Sequence, residues 1–202
     1  MQIAHSLVIG GTGMLAAATH SLVDRSRVVT LLARRPDRLP LPKNPPERTV
    51  GEISALPLDL ADREEILHAL RRQIDAHGPI ERAILWIHST YEETALAVLR
   101  LIDETSLGEP PPRIVRVLGS AAGDPTIDLA ARLGAERFPH VDLRAAVLGF
   151  ELEGGVSRWL THEEISRGAL ALLDRAPREP RATPPVAEIA VVGRIEPWSA
   201  RP

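Results

Sequence analysis

The chain alternates between short aliphatic runs and longer segments in which apolar residues recur at helical spacing. Short aliphatic runs are typical of buried strands, and recurrence every three or four residues is typical of amphipathic helices. The pattern predicts strands at residues 3–9, 27–33, 52–58, 82–87, 113–118, 141–148 and 189–192. It predicts helices at about 13–24, 61–77, 92–105 and 127–137, and a last helix that ends near residue 174. Thr161 and Glu164, three residues apart, have the spacing of a capping box at the start of that last helix.

Two kinds of segment interrupt this alternation. A proline-rich stretch follows the second strand, and a long helix cannot persist through its spacing; its prolines are Pro36, Pro40, Pro42, Pro45 and Pro46. The crossover helix that normally joins the second and third strands is therefore expected to be short or missing. The polar residues 151–155 are expected to form a loop, inside a substrate-binding segment at 150–160.

Strands that alternate with helices indicate an α/β fold with a parallel sheet covered on both faces. We expect a Rossmann-like, doubly wound sheet in a single domain over residues 1–202, with strand order 3-2-1-4-5-6 and a further strand at the edge. Ligands of such sheets bind beyond the carboxyl ends of the strands. Candidate functional residues are therefore those that directly follow a predicted strand.

A glycine cluster follows the first strand. Gly11, Gly13 and Ala16 fit the G-x-G-x-x-G/A fingerprint of dinucleotide binding. The fingerprint assigns the tight turn to Gly11, the close approach of a pyrophosphate to Gly13, and close packing of the helix on its strand to Ala16. An ordinary glycine-rich turn between a strand and a helix is the alternative.

Charged residues at the ends of the second and third strands bear on the choice of cofactor. Arg34 and Arg35 end the second strand, where NAD-specific sites carry an acid and NADP-specific sites carry a basic group for the 2′-phosphate. They favour NADP(H), although two arginines can also simply begin a solvated loop. Asp59, after the third strand, could accept a hydrogen bond from the adenine amino group or cap the next helix, a role for which Asp62 is better spaced.

Composition excludes several classes of function. The net charge of -3 gives no support to nucleic acid or an anionic membrane as a partner. The absence of cysteine excludes disulfides, thiol catalysis and thiolate metal sites. The histidines show no metal-binding spacing, so no metal is expected. No apolar run of about twenty residues occurs, and the expected location is the cytoplasm.

These motifs together resemble the short-chain dehydrogenase/reductase superfamily, in its atypical branch of small NADP-binding members. The resemblance covers nearly the whole chain, and it implies that the glycine turn holds the pyrophosphate and that Arg34 or Arg35 holds the 2′-phosphate. It also places Asp59 at the adenine and Ser120 at the position of the family's catalytic serine. The residues through which the resemblance implies cofactor binding are Gly10, Gly11, Thr12, Gly13, Met14, Arg34, Arg35, Asp59, Leu60, Ile87, His88, Ser89 and Gly119.

The chain departs from this family at the Tyr-x-x-x-Lys pair, whose positions are occupied by Leu133 and Arg137. The one tyrosine is Tyr91, and the one lysine, Lys43, lies in the proline-rich stretch. The usual proton donor is thus missing.

Three residues at the same predicted sheet end are candidates to replace that proton donor: His88, Ser120 and Tyr91. Imidazole titrates near neutral pH, which suits His88 to acid–base catalysis, although His88 could instead close its strand by bonding the backbone. Ser120 could bond a substrate oxygen or cap the next turn. Tyr91 could face the cofactor or pack against the proline-rich stretch. Arg144 is expected to be a surface or interface charge, and Trp86 and Trp159 to lie in the core, Trp159 as a roof over the substrate pocket.

The sequence thus favours an NADPH-dependent reductase of a small-molecule C=N, C=O or C=C bond, with an imine or iminium favoured over a ketone. A protonated C=N bond is already electrophilic, and its reduction leaves no alkoxide that needs a strong acid. The alternative is a non-catalytic NADP(H)-binding redox sensor or interaction protein. The expected partner is a small-molecule substrate, and the sequence does not decide whether the chain forms a homo-oligomer.

Overall fold

A computed structural model of the chain describes residues 2–42, 51–106, 108, 110–124, 128–176, 183 and 185–202. Lys43, Pro45, Pro46 and the first predicted residue of the fourth helix, Ile127, lie outside the described residues.

The strands follow the predicted positions closely. Their bounds are β1 Ile3–Ile9, β2 Ser26–Ala33, β3 Glu52–Pro57, β4 Arg82–Trp86, β5 Arg113–Leu118, β6 Asp142–Leu148, β7 Phe150–Glu153, β8 Val156–Trp159 and β9 Glu188–Val192. Within the described residues, seven of them form one parallel sheet in the order β3-β2-β1-β4-β5-β6-β9. The predicted doubly wound order with an additional edge strand is confirmed.

Five helices of the described residues connect the strands: α1 Ala16–Val23, α2 Arg63–His77, α3 Glu92–Thr105, α4 Leu129–Leu133 and α5 His162–Asp174. Alternate residues of a strand point to opposite faces of a sheet. Leu7 and Ile9 of β1 accordingly pack in the cluster formed with α2 and α3, and Val8 packs in the cluster formed with α1 and α5. Both faces are covered, which explains the mainly aliphatic character of the central strands.

The predicted loop at 151–155 is wrong, because this segment belongs to an antiparallel hairpin of β7 and β8. Gly154 and Gly155 connect the two strands with φ values of 58° and 83°. A two-residue hairpin turn of the type I′ kind needs positive φ at both central residues, which glycine adopts without strain. The Gly-Gly pair was therefore the signal for a hairpin.

The expectation that Arg144 lies on the surface is also wrong, since its side chain is 0% exposed. Its guanidinium donates to the carboxylate of Asp142, 2.6 Å away, and to the carbonyl oxygens of Leu172, Arg175 and Ala176. These carbonyls lie at the carboxyl end of α5, where a cation is favoured by the helix dipole. The burial is therefore balanced by a complete set of acceptors.

In the part of the chain that the structure describes, the helices are too short or too polar to cross a membrane.

Candidate functional site

The glycine turn after β1 divides its roles differently from the fingerprint. Gly10, and not Gly11, has the left-handed conformation of the turn, with φ 76°. Gly11 allows close packing: a Cβ there would lie 2.5 Å from Thr19 Oγ1 and 2.7 Å from a methyl group of Leu31. The positive φ falls on Gly10, directly after β1, and the turn begins at Gly11, whose predicted role in the turn stays a prediction.

Gly13 leaves the turn open. A Cβ at this position would meet nothing within 4 Å, and the residue is exposed. Within the described part of the chain, the N–H groups of Thr12, Gly13 and Met14 have no backbone acceptor. Free N–H groups just before a helix, here α1, are a typical anion site.

Two side chains fix this turn against the helices behind it. Thr19 Oγ1 donates to the carbonyl of Gly11 at 3.0 Å, from inside α1. Ser166 Oγ of α5 donates to the carbonyl of Met14 at 2.8 Å. The backbone around Gly13 is therefore held in place before any ligand arrives.

The register of the sheet brings the ends of β2 and β3 beside the glycine turn, as predicted. Ile9 pairs with Leu32, and Ala33 pairs with Pro57. Arg34 and Arg35, which follow Ala33, are exposed. Their guanidiniums are therefore available to an anion bound along this edge.

Asp59 and Leu60, beyond β3, have structural contacts of their own. Asp59 Oδ1 accepts from the N–H of Ala61 at 3.0 Å, so Asp59 caps the turn that leads into α2. Asp62 occupies the N-cap position of α2 but forms no capping hydrogen bond through its side chain, contrary to the prediction. The carbonyl of Leu60 accepts from Thr94 Oγ1 at 3.1 Å, which connects this corner to α3.

Trp86, the last residue of β4, lies across the carboxyl edge of the sheet. A Cβ at Gly10 would lie 3.0 Å from its Cδ1 atom, and a Cβ at Gly119 would lie 3.9 Å from its Cη2 atom. The indole is half-buried and therefore forms part of the site wall. Trp159, which was expected in the core, is 49% exposed on the hairpin, so the core prediction fails for it.

A cavity of about 270 Å³ opens at the carboxyl ends of β4 and β5. Its lining combines the segment after β4, the turn after β5 and one side of α4: Trp86, Ile87, His88, Ser89, Glu92, Arg116, Leu118, Gly119, Ala121, Ala122, Leu129, Arg132 and Leu133. The structure thus brings Ile87, His88, Ser89 and Gly119 together, as the sequence predicted.

The three candidate proton donors do not share one position. His88 lines this cavity, and Ser120 lies between two lining residues, Gly119 and Ala121. Tyr91 lines a different hollow, between the amino ends of α2 and α3, and packs on the core cluster of that face. Among the described residues, no proline of the proline-rich stretch lines this hollow.

His88 bonds its own turn. Its Nδ1 atom accepts from the backbone N–H of Thr90 at 3.3 Å and lies 3.0 Å from Thr90 Oγ1. With Nδ1 as acceptor, a neutral imidazole carries its proton on Nε2. The side chain is exposed, so Nε2 can donate to a ligand in the cavity.

An ion pair that the sequence did not predict lies in the wall of this cavity. Arg116 of β5 is 3% exposed and donates to both carboxylate oxygens of Glu92, at 2.9 and 2.8 Å. The hydrogen bonds from Arg116 lower the pKa of Glu92, and burial opposes them. The available signal was Arg116 within the apolar residues 114–118 of β5, but its partner follows only from the packing of α3 on β5.

The positions of the missing Tyr-x-x-x-Lys pair are also defined. Leu133 presents an apolar side chain to the cavity. Arg137 has its guanidinium 5.7 Å from the ring centre of Phe138 and donates to the carbonyl of Gly134. Neither residue provides the hydroxyl or the cation that the pair would supply inside the cavity.

Together the parallel sheet, its strand order and the glycine turn define a dinucleotide-binding type of α/β fold. More narrowly, the chain has the fold of the short-chain dehydrogenase/reductases. A short-chain type dehydrogenase/reductase from Mycobacterium marinum superposes with a TM-score of 0.68 at 16% identity, over 97% of this chain and 96% of that one.

Two further solved structures agree with this assignment. A beta-ketoacyl-[ACP] reductase from Bacteroides thetaiotaomicron has a TM-score of 0.64 at 14% identity, over 95% of this chain and 97% of that one. An NADH-dependent reductase complexed with NAD has a TM-score of 0.67 at 12% identity, over 95% and 96%. No protein-family model matches the chain, and no curated protein matches it. At these identities the likeness concerns the fold.

Proposed function

We propose that the protein is an NADPH-dependent reductase of a C=N, C=O or C=C bond in a small molecule. The observation that carries this proposal is the open, anchored turn at Gly13 on the same sheet edge as the cavity beside His88 and Gly119. A dinucleotide spans such an edge, with its pyrophosphate at the turn and its other end at the neighbouring strands. When bound, the nicotinamide supplies the hydride; the chain supplies position and protons.

The preference for NADP(H) over NAD(H) rests on Arg34 and Arg35. Both guanidiniums are exposed beside the expected position of the adenosine ribose, and β2 ends without a carboxylate. A guanidinium can make a paired contact to a 2′-phosphate, and a carboxylate there would repel it.

An imine or iminium suits this site better than a ketone. Leu133 gives the cavity an apolar wall where the family's tyrosine would stand, so the described site holds no phenol–ammonium pair to protonate an alkoxide. An iminium already carries its proton on nitrogen, and addition of a hydride to its carbon gives the neutral amine. A neutral imine needs one proton, for which Nε2 of His88 is the best placed donor, with the hydroxyl of Ser120 as the second choice.

The second candidate function is a non-catalytic NADP(H)-binding redox sensor or interaction protein. The observation that favours it is the same apolar wall at Leu133, with Arg137 directed to Phe138 instead of the cavity. Such a protein would bind the cofactor tightly and would not turn it over.

The two functions can be separated with 1-pyrroline, cyclopentanone and 2-cyclopentenone, which offer C=N, C=O and C=C bonds on rings of one size. We expect NADPH oxidation with 1-pyrroline at a higher kcat/KM than with cyclopentanone. Tight NADPH binding with no turnover of any of the three would support the sensor and count against the reductase. Failure to bind NADPH would contradict both.

A further inference from the structure

We propose that the cavity between α3, β5 and α4 holds the carboxylate of a small anionic substrate, with Arg132 as its anchor. This inference rests on the proposed function, because it names the substrate class of the same site. The argument depends on the charges of the lining, their pairing and the shape of the cavity.

The lining carries an excess of positive charge. Two arginines, Arg116 and Arg132, line the cavity, and Glu92 is its only carboxylate among the described residues. The remaining polar groups nearby, His88 and Ser89, carry no negative charge. One positive charge is thus left without a counter-charge in the wall.

That unbalanced charge belongs to Arg132. Arg116 is satisfied by its two short hydrogen bonds to Glu92, so this pair is neutral as a unit. The positive charges of Arg132 and Arg137 also lower the pKa of Glu92, but Glu92 forms its ion pair with Arg116, and the exposed Arg132 forms no salt bridge with the described residues. Asp128, the N-cap residue of α4, uses its carboxylate to accept from the N–H of Ala131 at 3.0 Å.

Apolar side chains form much of the remaining wall. Leu118, Leu129 and Leu133 line the cavity together with Ile87. The volume of about 270 Å³ lies below the range of about 300–1,000 Å³ that is typical of ligand pockets, which favours a small metabolite. An apolar wall with one unpaired guanidinium suits a compact hydrocarbon body that bears one carboxylate.

The same cavity reaches the proposed reaction site. Trp86, His88 and Gly119 line it at the ends of β4 and β5, where the proposed function places the nicotinamide. A carboxylate on Arg132 would therefore hold the substrate while its reducible bond faces this edge.

Binding of two matched probes tests the anchor without any need for turnover. Cyclopentanecarboxylate and cyclopentanecarboxamide have nearly the same shape and differ in charge, and calorimetry on the protein saturated with NADP+ measures both. We expect the carboxylate to bind about tenfold more tightly than the amide, since hydrogen bonds to charged groups are the stronger ones. R132Q should abolish that difference, and R132K should restore part of it.

R100Q is the matched control, because Arg100 is exposed on α3 and does not line the cavity. Equal binding of the two probes, or an unchanged ratio in R132Q, would overturn the anchor. Calorimetry with the probes is independent of NADPH oxidation. If the two probes bind equally but 1-pyrroline is reduced, the carboxylate anchor is refuted and the proposed reductase activity is not. Discrimination by Arg132 with no reduction of 1-pyrroline-2-carboxylate, which carries both a C=N bond and the carboxylate, would refute the reductase alone.

Discussion

Arg116 and Glu92 form a two-pronged ion pair between the middle of β5 and the first turn of α3. The Arg116 side chain is 4% exposed and that of Glu92 is 35% exposed. Removal of the carboxylate would leave a buried guanidinium without its acceptors, and this is the costly way to break such a pair. The pair therefore contributes to the stability of the cavity wall.

We expect E92Q to lower the free energy of unfolding by about 2 kcal/mol, less than the 3–5 kcal/mol of a fully buried pair because Glu92 is partly solvated. Urea unfolding measures the change, with E93Q, an exposed neighbour on the same turn, as the control. Since the pKa of Glu92 is lowered in the folded state, its contribution should be present above about pH 4.5 and fall as the pH drops through the folded pKa. Equal unfolding curves for E92Q and E93Q would show that the pair adds no stability.

The capping contacts at the start of α5 should make the stability of the protein depend on pH in the acid range. Glu164 accepts two hydrogen bonds from Arg158 and one from the N–H of Thr161, and these bonds lower its pKa to about 2. Its contribution to folding is thus complete above about pH 4.5 and is lost as the pH falls toward 2. Carbon NMR of the carboxyl group in R158Q should show a clearly higher pKa, whereas R167Q, an exposed change on the same helix, should leave it unchanged.

Two substitutions in the glycine turn should affect different properties, one the stability of the fold and the other the affinity for the cofactor. G11A should lower the free energy of unfolding by about 1–3 kcal/mol, because the new methyl group would collide with Thr19 and Leu31. G13A should leave stability unchanged, since its methyl group meets no atom, but should weaken NADPH binding about tenfold by obstructing the approach of the pyrophosphate. Quenching of tryptophan fluorescence measures the affinity. G108A, also unobstructed and distant from the turn, is the control, and an NADPH affinity in G13A equal to that of G108A would contradict this placement.

The 2′-phosphate assignment is tested by R34Q and R35Q. At least one of them should weaken NADPH binding about tenfold and leave NADH binding unchanged, because NADH lacks the 2′-phosphate. R38Q, in the same exposed segment, should change neither affinity. Tighter binding of NADH than of NADPH by the unaltered protein would show the assignment to be wrong.

Substitution of each candidate proton donor should have a different effect on kcat. H88Q should lower kcat for the best neutral substrate about 100-fold, the usual contribution of an acid–base group, with little change in NADPH affinity. Y91F should have the activity of the unaltered protein, since Tyr91 lies in another hollow. If H88Q keeps its activity and S120A loses it, the donor is Ser120 and the role given to His88 is refuted.

Much of the fold followed from local pattern. Residues of β1 and β5 were predicted with the bounds that the structure shows, because each is a mainly aliphatic run that ends at a glycine. The capping box of Thr161 and Glu164 is confirmed for the same reason, since both of its hydrogen bonds lie within four residues. The hairpin of β7 and β8 was missed because each strand is only four residues long, although Phe150 and Leu152 alternate with glutamates and Gly154 and Gly155 indicated the turn.

The features of the candidate site also fall into those that the sequence predicts and those that only the tertiary structure shows. By itself the sequence determined the sheet and placed the glycine turn, Arg34, Arg35 and His88 at strand ends, because the ends of parallel strands meet at one edge whatever packs around them. Only the tertiary structure decided that Arg116 meets Glu92, that Arg144 is buried and that Tyr91 stands apart from His88. The contacts of Arg116 and Arg144 join residues from separate elements, and the packing of helices on the sheet sets their distances. A charged side chain is stable in the interior only where that packing supplies acceptors, which no local pattern reveals.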